Sequence, residues 1–257
     1  MLATITLLSI AFFSHAQGKW NGFKSAVVLT YDDALNVHLD NVVPSLDSAG
    51  FKGTFYLTVA SGAFTNRMSE WKTVAEKGHE LGNHTMFHPC TGGTPDRSWV
   101  RPEYDLNTYT VKRVEDEIKM TNVLLQSVDG KTERTFAYPC GDVTAGGQSY
   151  IQAISDDFVA ARGTQPVILN FDKIDPYTAG CFSIAGQNSD FMIDLVRKGM
   201  KENGLVVFLF HGVGGEHGLN VDLKEHRKLI QFLKQNQKDI WVTTFLDAMK
   251  FVKSSAH

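Results

Sequence analysis

Beyond residue 17 the sequence has no apolar run long enough to cross a bilayer. It has no cluster of basic residues either, and its formal net charge is −3. That balance argues against a nucleic-acid partner and against a polybasic membrane anchor. Cysteine is scarce: Cys90, Cys140 and Cys181 are too few for a disulfide scaffold. An exported chain would permit one disulfide and leave one free thiol, and the sequence leaves the pair open. No internal repeat, low-complexity tract or linker divides the chain, so one domain is the simplest organisation.

What is present begins with a leader. Met1 to Gln17 reads as a secretory signal, with a short apolar run from Leu2 to Phe13 and a small-x-small cleavage site at Ser14-His15-Ala16. The departure from that pattern is an n-region without Lys or Arg. No cysteine follows the apolar run, which argues against a lipoprotein anchor. The reading implies a mature domain over residues 18–257, secreted or periplasmic and without stable membrane insertion. With 43% hydrophobic residues, the chain is able to bury a large core.

Strand-like and helix-like segments then alternate. Strands are predicted at Ala26 to Tyr31, Gly53 to Thr58, His79 to Asn83, Thr135 to Tyr138, Val159 to Ala161, Leu205 to Phe210 and Ile240 to Val242. Helices are predicted at Val37 to Ala49, Ser69 to Lys77, Val111 to Ser127, Ser149 to Phe158, Phe191 to Glu202 and Leu223 to Gln235. Thr243 or Thr244 caps a last helix through Val252. About seven β-then-α units imply an α/β fold with a parallel sheet, closed or nearly closed into a barrel. The exception is Cys90 to Tyr109, a long polar and aromatic stretch of the kind that is usually functional. Its Trp99, Tyr104 and Tyr109 are candidates for stacking on a substrate; the alternative is that they pack the loop onto its scaffold.

Three strand ends carry the chemistry. Val27-Val28-Leu29-Thr30-Tyr31-Asp32-Asp33-Ala34 is a buried strand closing on two adjacent carboxylates, which need a partner if they are buried. Asn83-His84-Thr85-Met86-Phe87-His88-Pro89 places two imidazoles four residues apart, on one face of a helical turn, as metal ligands often are. Together with an aspartate these residues would make a two-His, one-carboxylate site with open positions for water and substrate. Leu209-Phe210-His211-Gly212 ends the most apolar strand with a His that is able to exchange protons at the rim.

These motifs, in this order and spacing, resemble the NodB-like polysaccharide deacetylases of carbohydrate esterase family four, over roughly Ser25 to Val252. The family's Thr-Phe-Asp-Asp-Gly is Thr30-Tyr31-Asp32-Asp33-Ala34 here, its His-Ser/Thr-x-x-His-Pro is His84 to Pro89, and its Leu-x-His is Leu209-Phe210-His211. The resemblance implies a distorted parallel (β/α) barrel and one divalent metal ion, usually zinc. It implies Asp32 as general base, Asp33, His84 and His88 as metal ligands, and His211 as general acid. It also implies an acetylated oligo- or polysaccharide as substrate, N- or O-acetylated. A non-catalytic carbohydrate-binding relative and a hydrolase of other C–N bonds are the alternatives.

The third motif departs. Where the family has Arg-x-Pro-Tyr, this chain has Ala137-Tyr138-Pro139-Cys140, so the arginine that holds the base is missing. The backbone N–H of Cys140 remains available to an oxyanion hole. Tyr138, Cys140 and Trp99 are therefore the substrate-side candidates. Asp172 and Asp175 are candidates for orienting His211. Arg162 ends a short apolar strand and so falls on the same rim as Asp32, which makes it the candidate replacement for the missing arginine. Arg97 and Arg101 sit in the long loop, where side chains are held less accurately.

Overall fold

The strand that ends in Asp32-Asp33 lies at the centre of an eight-stranded sheet in a computed structural model that describes residues 19–255. The leader read over Met1 to Gln17 falls outside the described residues. The strands are β1 (Ser25–Asp32), β2 (Thr54–Leu57), β3 (Glu80–Asn83), β4 (Phe136–Ala137), β5 (Ala161–Arg162), β6 (Phe182–Ile184), β7 (Leu205–Phe210) and β8 (Ile240–Thr243). Every pairing between them is parallel, and the order runs β5-β4-β3-β2-β1-β7-β6.

One edge of β1 is shared. Its lower half, Ser25 to Val28, pairs with β8, and its upper half, Thr30 to Asp32, pairs with β2. Eight strands therefore enter the sheet but seven reach the rim that carries the site, which is the distortion of this barrel. The ring closes where Ala179, on the way into β6, bridges to Arg162 at the end of β5. Ala179 N–H donates to Ala161 O at 3.2 Å, and Gly163 N–H donates to Ala179 O at 2.8 Å.

Strand alternation sorts the side chains into two cores. Val27, Leu29 and Tyr31 face outward and pack under the helices with Val206, Phe208 and Phe210. Ala26 and Val28 face inward with Tyr56, Val207 and Leu209, and Phe245 and Met249 of the last helix join this inner cluster. Asp32 shares the inward parity of Val28. Its carboxylate accordingly points into the ring while the Tyr31 hydroxyl lies 2.8 Å from His226 Nε2 on the outside.

The helices follow the expected signals. The segment Val37 to Ala49 begins as a wide turn, His38–Val42, before the α-helix Val43–Ala49. Pro44, which lacks an N–H, sits at the change. Gly50 ends the helix at φ 74°. The Thr110 and Asp222 side chains cap the helices Val111–Asp129 and Leu223–Gln235, and Thr244 Oγ1 accepts from Asp247 N–H in the last helix. Two expectations need correction. The helix read over Ser149 to Phe158 is one α-turn, Ile151–Ile154, followed by the tight turn Ser155–Asp157. The strand Phe182–Ile184, which completes the ring, is absent from the sequence reading.

At the end of the ring away from the site, buried Glu80 ties four elements together. Its carboxylate accepts from Thr54 Oγ1 at 2.8 Å, Thr135 N–H at 3.1 Å, Thr135 Oγ1 at 2.5 Å and Leu246 N–H at 2.9 Å. Burial raises its pKa, with these donors working in the other direction. Glu80→Leu would remove the acceptor of four donors, three of them buried. It should reduce unfolding free energy by about 3 kcal/mol in urea denaturation, with Glu80→Gln losing less. Equal stability of the Leu variant and the wild type would remove this tie from the account.

Candidate functional site

A cavity of about 770 Å³ opens at the C-terminal ends of the strands, lined among others by Asp32, Asp33, His84, His88, Trp99 and His211. The two adjacent aspartates part company because the strand breaks between them. Asp32 ends β1 in extended backbone, whereas Asp33 and Ala34 take φ 81° and 55°. Two consecutive left-handed residues that are not glycine cost about 1–3 kcal/mol each. The bend swings the Asp33 carboxylate to the histidines and leaves Asp32 inside the ring.

His84 and His88 do not lie on a helical turn, contrary to the sequence reading. Thr85 and His88 have φ 64° and 56°. Asn83 Oδ1 captures the Thr85 N–H at 2.8 Å, and Thr85 Oγ1 accepts the His88 N–H at 3.0 Å. Side-chain capture of backbone N–H groups competes with helix, and Pro89 disfavours helical backbone at His88. The pair still converges. His84 Nε2 and His88 Nε2 lie 3.5 and 3.4 Å from Asp33 Oδ1.

The donor set fits a divalent metal. Bonds of about 2.0–2.1 Å in a tetrahedron require ligand atoms about 3.3 Å apart, close to the two separations observed. Asp33 Oδ1 is buried and accepts no hydrogen bond from the described residues. His84 Nδ1 lies 2.8 Å from the Ala137 carbonyl, an acceptor only, so Nδ1 carries the proton and Nε2 presents its lone pair. Burial brings the His84 pKa down to about 4, which keeps the ring neutral. Burial works to raise Asp33, but His88, His84, His211 and His217 together bring it to about 2.

Arg162 reaches Asp32, as the strand-end argument expected. Its Nη2 donates to Asp32 Oδ2 at 2.5 Å, both side chains are buried, and the guanidinium lies over the Tyr56 ring at 5.0 Å. Nη1 lies 3.4 Å from Cys181 Sγ. Burial opposes the Arg162 charge, but the Asp32 carboxylate outweighs it, so its pKa is raised. Asp32 Oδ1 has no partner among the described residues. Arg97 is engaged elsewhere, with Asp142 and with the Cys140 carbonyl at 3.3 Å, and Arg101 is exposed near Glu103.

His211 Nε2 lies 3.9 Å from Asp33 Oδ2. Burial lowers its pKa, with Asp32 and Asp33 acting to raise it. Neither Asp172 nor Asp175 orients it, which corrects that expectation. Asp172 pairs with Lys19 at the surface, and Asp175 accepts from Tyr177 N–H and Thr178 Oγ1. The backbone of His211 is held instead by His38, whose Nε2 lies 2.8 Å from the His211 carbonyl and whose Nδ1 accepts from Leu35 N–H at 3.2 Å. The sequence reading also missed His217, whose ring stacks on His211 at 4.8 Å and 12°. The only local signal was the glycine-rich stretch Gly212 to Gly218 directly after the rim histidine.

Of the three loop aromatics, Trp99 lines the cavity. Tyr104 stacks on Phe87 at 5.3 Å, and Tyr109 is buried against Arg113, so both belong to the scaffold. Tyr138 lines the cavity, but its hydroxyl donates to the Tyr177 carbonyl at 3.0 Å. Cys140 also lines it, in a turn at φ 57°, and forms a disulfide with Cys90. Cys181 is the buried free thiol. The bridge joins the segment just after His88 to the turn that carries the candidate oxyanion N–H.

The sequence matches the polysaccharide deacetylase family model over residues 21–154, which includes Asp32, Asp33, His84 and His88. It is 30% identical over 139 residues to a gellan lyase of a Bacillus species, covering 54% of this chain and 5% of that protein. It is 26% identical over 121 residues to the peptidoglycan-N-acetylmuramic acid deacetylase of Bacillus subtilis (strain 168), covering 46% of this chain and 39% of that protein. The chain thus spans well under two thirds of the length of these relatives. Among solved structures, a putative polysaccharide deacetylase from Mycobacterium smegmatis shares the fold, with a TM-score of 0.62 and 14% identity over 97% of this chain and 96% of that one.

The disulfide closes a loop across a sequence separation of 50. Replacing both Cys90 and Cys140 by Ser should lower stability by about 2–4 kcal/mol in urea denaturation. A double variant with the wild-type midpoint would contradict a stabilising role for the bridge.

Proposed function

The chain belongs to the polysaccharide deacetylase family, and from that premise we propose that it removes acetyl groups from an N- or O-acetylated oligo- or polysaccharide, using one divalent metal ion, zinc by preference. The observation that carries the reading is the meeting of Asp33 Oδ1, His84 Nε2 and His88 Nε2 beside a carboxylate, Asp32, whose other oxygen is held by Arg162. In this reading Asp33, His84 and His88 hold the ion. When bound, the ion supplies Lewis-acid polarisation of the acetyl carbonyl and lowers the pKa of water.

The chain's own groups do the rest. Arg162 occupies Asp32 Oδ2, which leaves Oδ1 to take the proton of the attacking water. His211 returns a proton to the departing amine or alkoxide. The Cys140 N–H, on the cavity wall with Tyr138, is the candidate donor to the developing oxyanion. Trp99, exposed at the mouth, offers a face for a sugar ring. In this reading the leader expected over residues 1–17 and the Cys90–Cys140 bridge both favour action outside the cytoplasm, in an oxidising compartment. Among the described residues no helix is long and apolar enough to cross a membrane.

Acetate release from acetylated chitooligosaccharides and xylooligosaccharides, with and without chelator, tests the reading. Chelation should abolish release and added metal restore it. His84→Ala should lose the metal, while Asp32→Asn should keep it and lose turnover by about 10³-fold. Full activity after exhaustive metal removal would overturn metal dependence. Sugar binding without any acetate release would favour the non-catalytic alternative.

Arg162→Met tests the replacement of the missing arginine. Removing a cation beside a carboxylate makes that carboxylate easier to protonate. The variant should turn over about 10–100-fold more slowly, with the acid limb of its pH–rate profile moved upward and metal content intact. Arg162→Lys, which retains the charge, should move the limb less. An unchanged profile in Arg162→Met would remove the assignment.

A further inference from the structure

His217 lies on the cavity wall beside Leu219, and its side chain is 33% exposed, so a ligand in the cavity has access to it. It is not a loosely held surface residue. Glu216, in left-handed backbone at φ 68°, accepts from Val37 N–H at 2.7 Å and Asn36 Nδ2 at 2.6 Å, which fastens the loop to the segment after β1. Gly215 N–H donates to Asn220 Oδ1 at 2.7 Å. The ring itself is held by its stack on His211.

The tautomer follows from one hydrogen bond. His217 Nδ1 accepts from Leu219 N–H at 2.9 Å, so in the neutral ring the proton sits on Nε2. Nε2 is therefore a donor, not a metal ligand, in contrast to His84, whose Nδ1 is the donor and whose Nε2 is free. The nearest acidic oxygen, Asp33 Oδ2, is 3.7 Å from His217 Nε2, beyond hydrogen-bond range. A fixed N–H thus faces the cavity next to the proposed general acid.

We infer that His217 donates this N–H to the sugar on the leaving-group side, and so selects saccharide over simple acetate esters. The inference rests on the deacetylase reading of the same cavity. A donor stacked alongside His211 meets the group that His211 protonates, and in a deacetylation that group belongs to the sugar. Hydrogen-bonding sites discriminate strongly against analogues that lack the partner group.

His217→Phe keeps the ring face and removes the donor; His217→Gln restores a donor. With metal-loaded protein, kcat/KM for triacetylchitotriose or acetylated xylotriose should fall in His217→Phe about ten-fold more than kcat/KM for 4-nitrophenyl acetate, and Gln should recover most of the difference. In the Asp32→Asn background, where turnover is suppressed, calorimetric titration with the same trisaccharides should show a Kd about ten-fold higher in His217→Phe. Equal losses on sugar and aryl ester, or an unchanged Kd, would overturn the inference. Loss of bound metal in His217→Phe would overturn it too, because His217 would then be serving Asp33. Failure of the deacetylase reading looks different: the trisaccharides bind with the same His217 dependence, but no acetate is released. A wild type that binds neither trisaccharide overturns the assignment of His217 to a sugar.

Discussion

The buried ion pair between Asp32 and Arg162 is the constraint on which the rest of the site depends. Neither charge would be tolerated alone inside the ring, because desolvating an unpaired ion costs several kcal/mol. Their side chains come from the ends of β1 and β5, which are separated by β2, β3 and β4 in the sheet, so they meet only because the sheet curls round. The closure at Arg162 and Ala179 sets that curl, and Cys181, two residues after the bridge, packs its sulfur on the same guanidinium. A flat sheet of the same strands would leave both charges without a partner.

The pair also separates the roles of two neighbouring carboxylates. Strand parity sends Asp32 inward to Arg162, and the left-handed backbone at Asp33 and Ala34 turns the next side chain to the imidazoles. The consequence is chemical. One carboxylate has a cation on one oxygen and a free second oxygen, as a base requires. The other has two imidazole nitrogens at ligand spacing, as a metal requires. The third motif, although it lacks its arginine, still serves the centre through its backbone, because the Ala137 carbonyl fixes the tautomer of His84.

Much of this was legible because it is local. The apolar run before Asp32, the His84 and His88 pair, and the strand before His211 each carry their meaning within a few residues. Arg162 was legible at one remove, since a strand end predicts a rim position and nothing more was needed to bring it to Asp32. The failures have different causes, and the first is long-range. His211 is steadied by His38, 173 residues away, so no nearby aspartate marks the arrangement. The strand Phe182–Ile184 has three residues, with Ser183 exposed between two apolar neighbours, and gives too short a pattern to read. The helical turn expected at His84 to His88 was lost to Asn83 and Thr85, whose side chains capture the backbone N–H groups a helix needs free. His217 stood in a glycine-rich loop that resembles any solvated turn until the stack on His211 is seen.

The central claim is that Arg162 acts through Asp32 and through no other group. A double-mutant cycle in kcat measures that coupling directly. If the account holds, Arg162→Met slows the wild type but has little further effect once Asp32 is already Asn, because the carboxylate it serves is gone. If Arg162→Met slows both backgrounds by the same factor, the two residues act independently, and the buried pair is not what prepares the base.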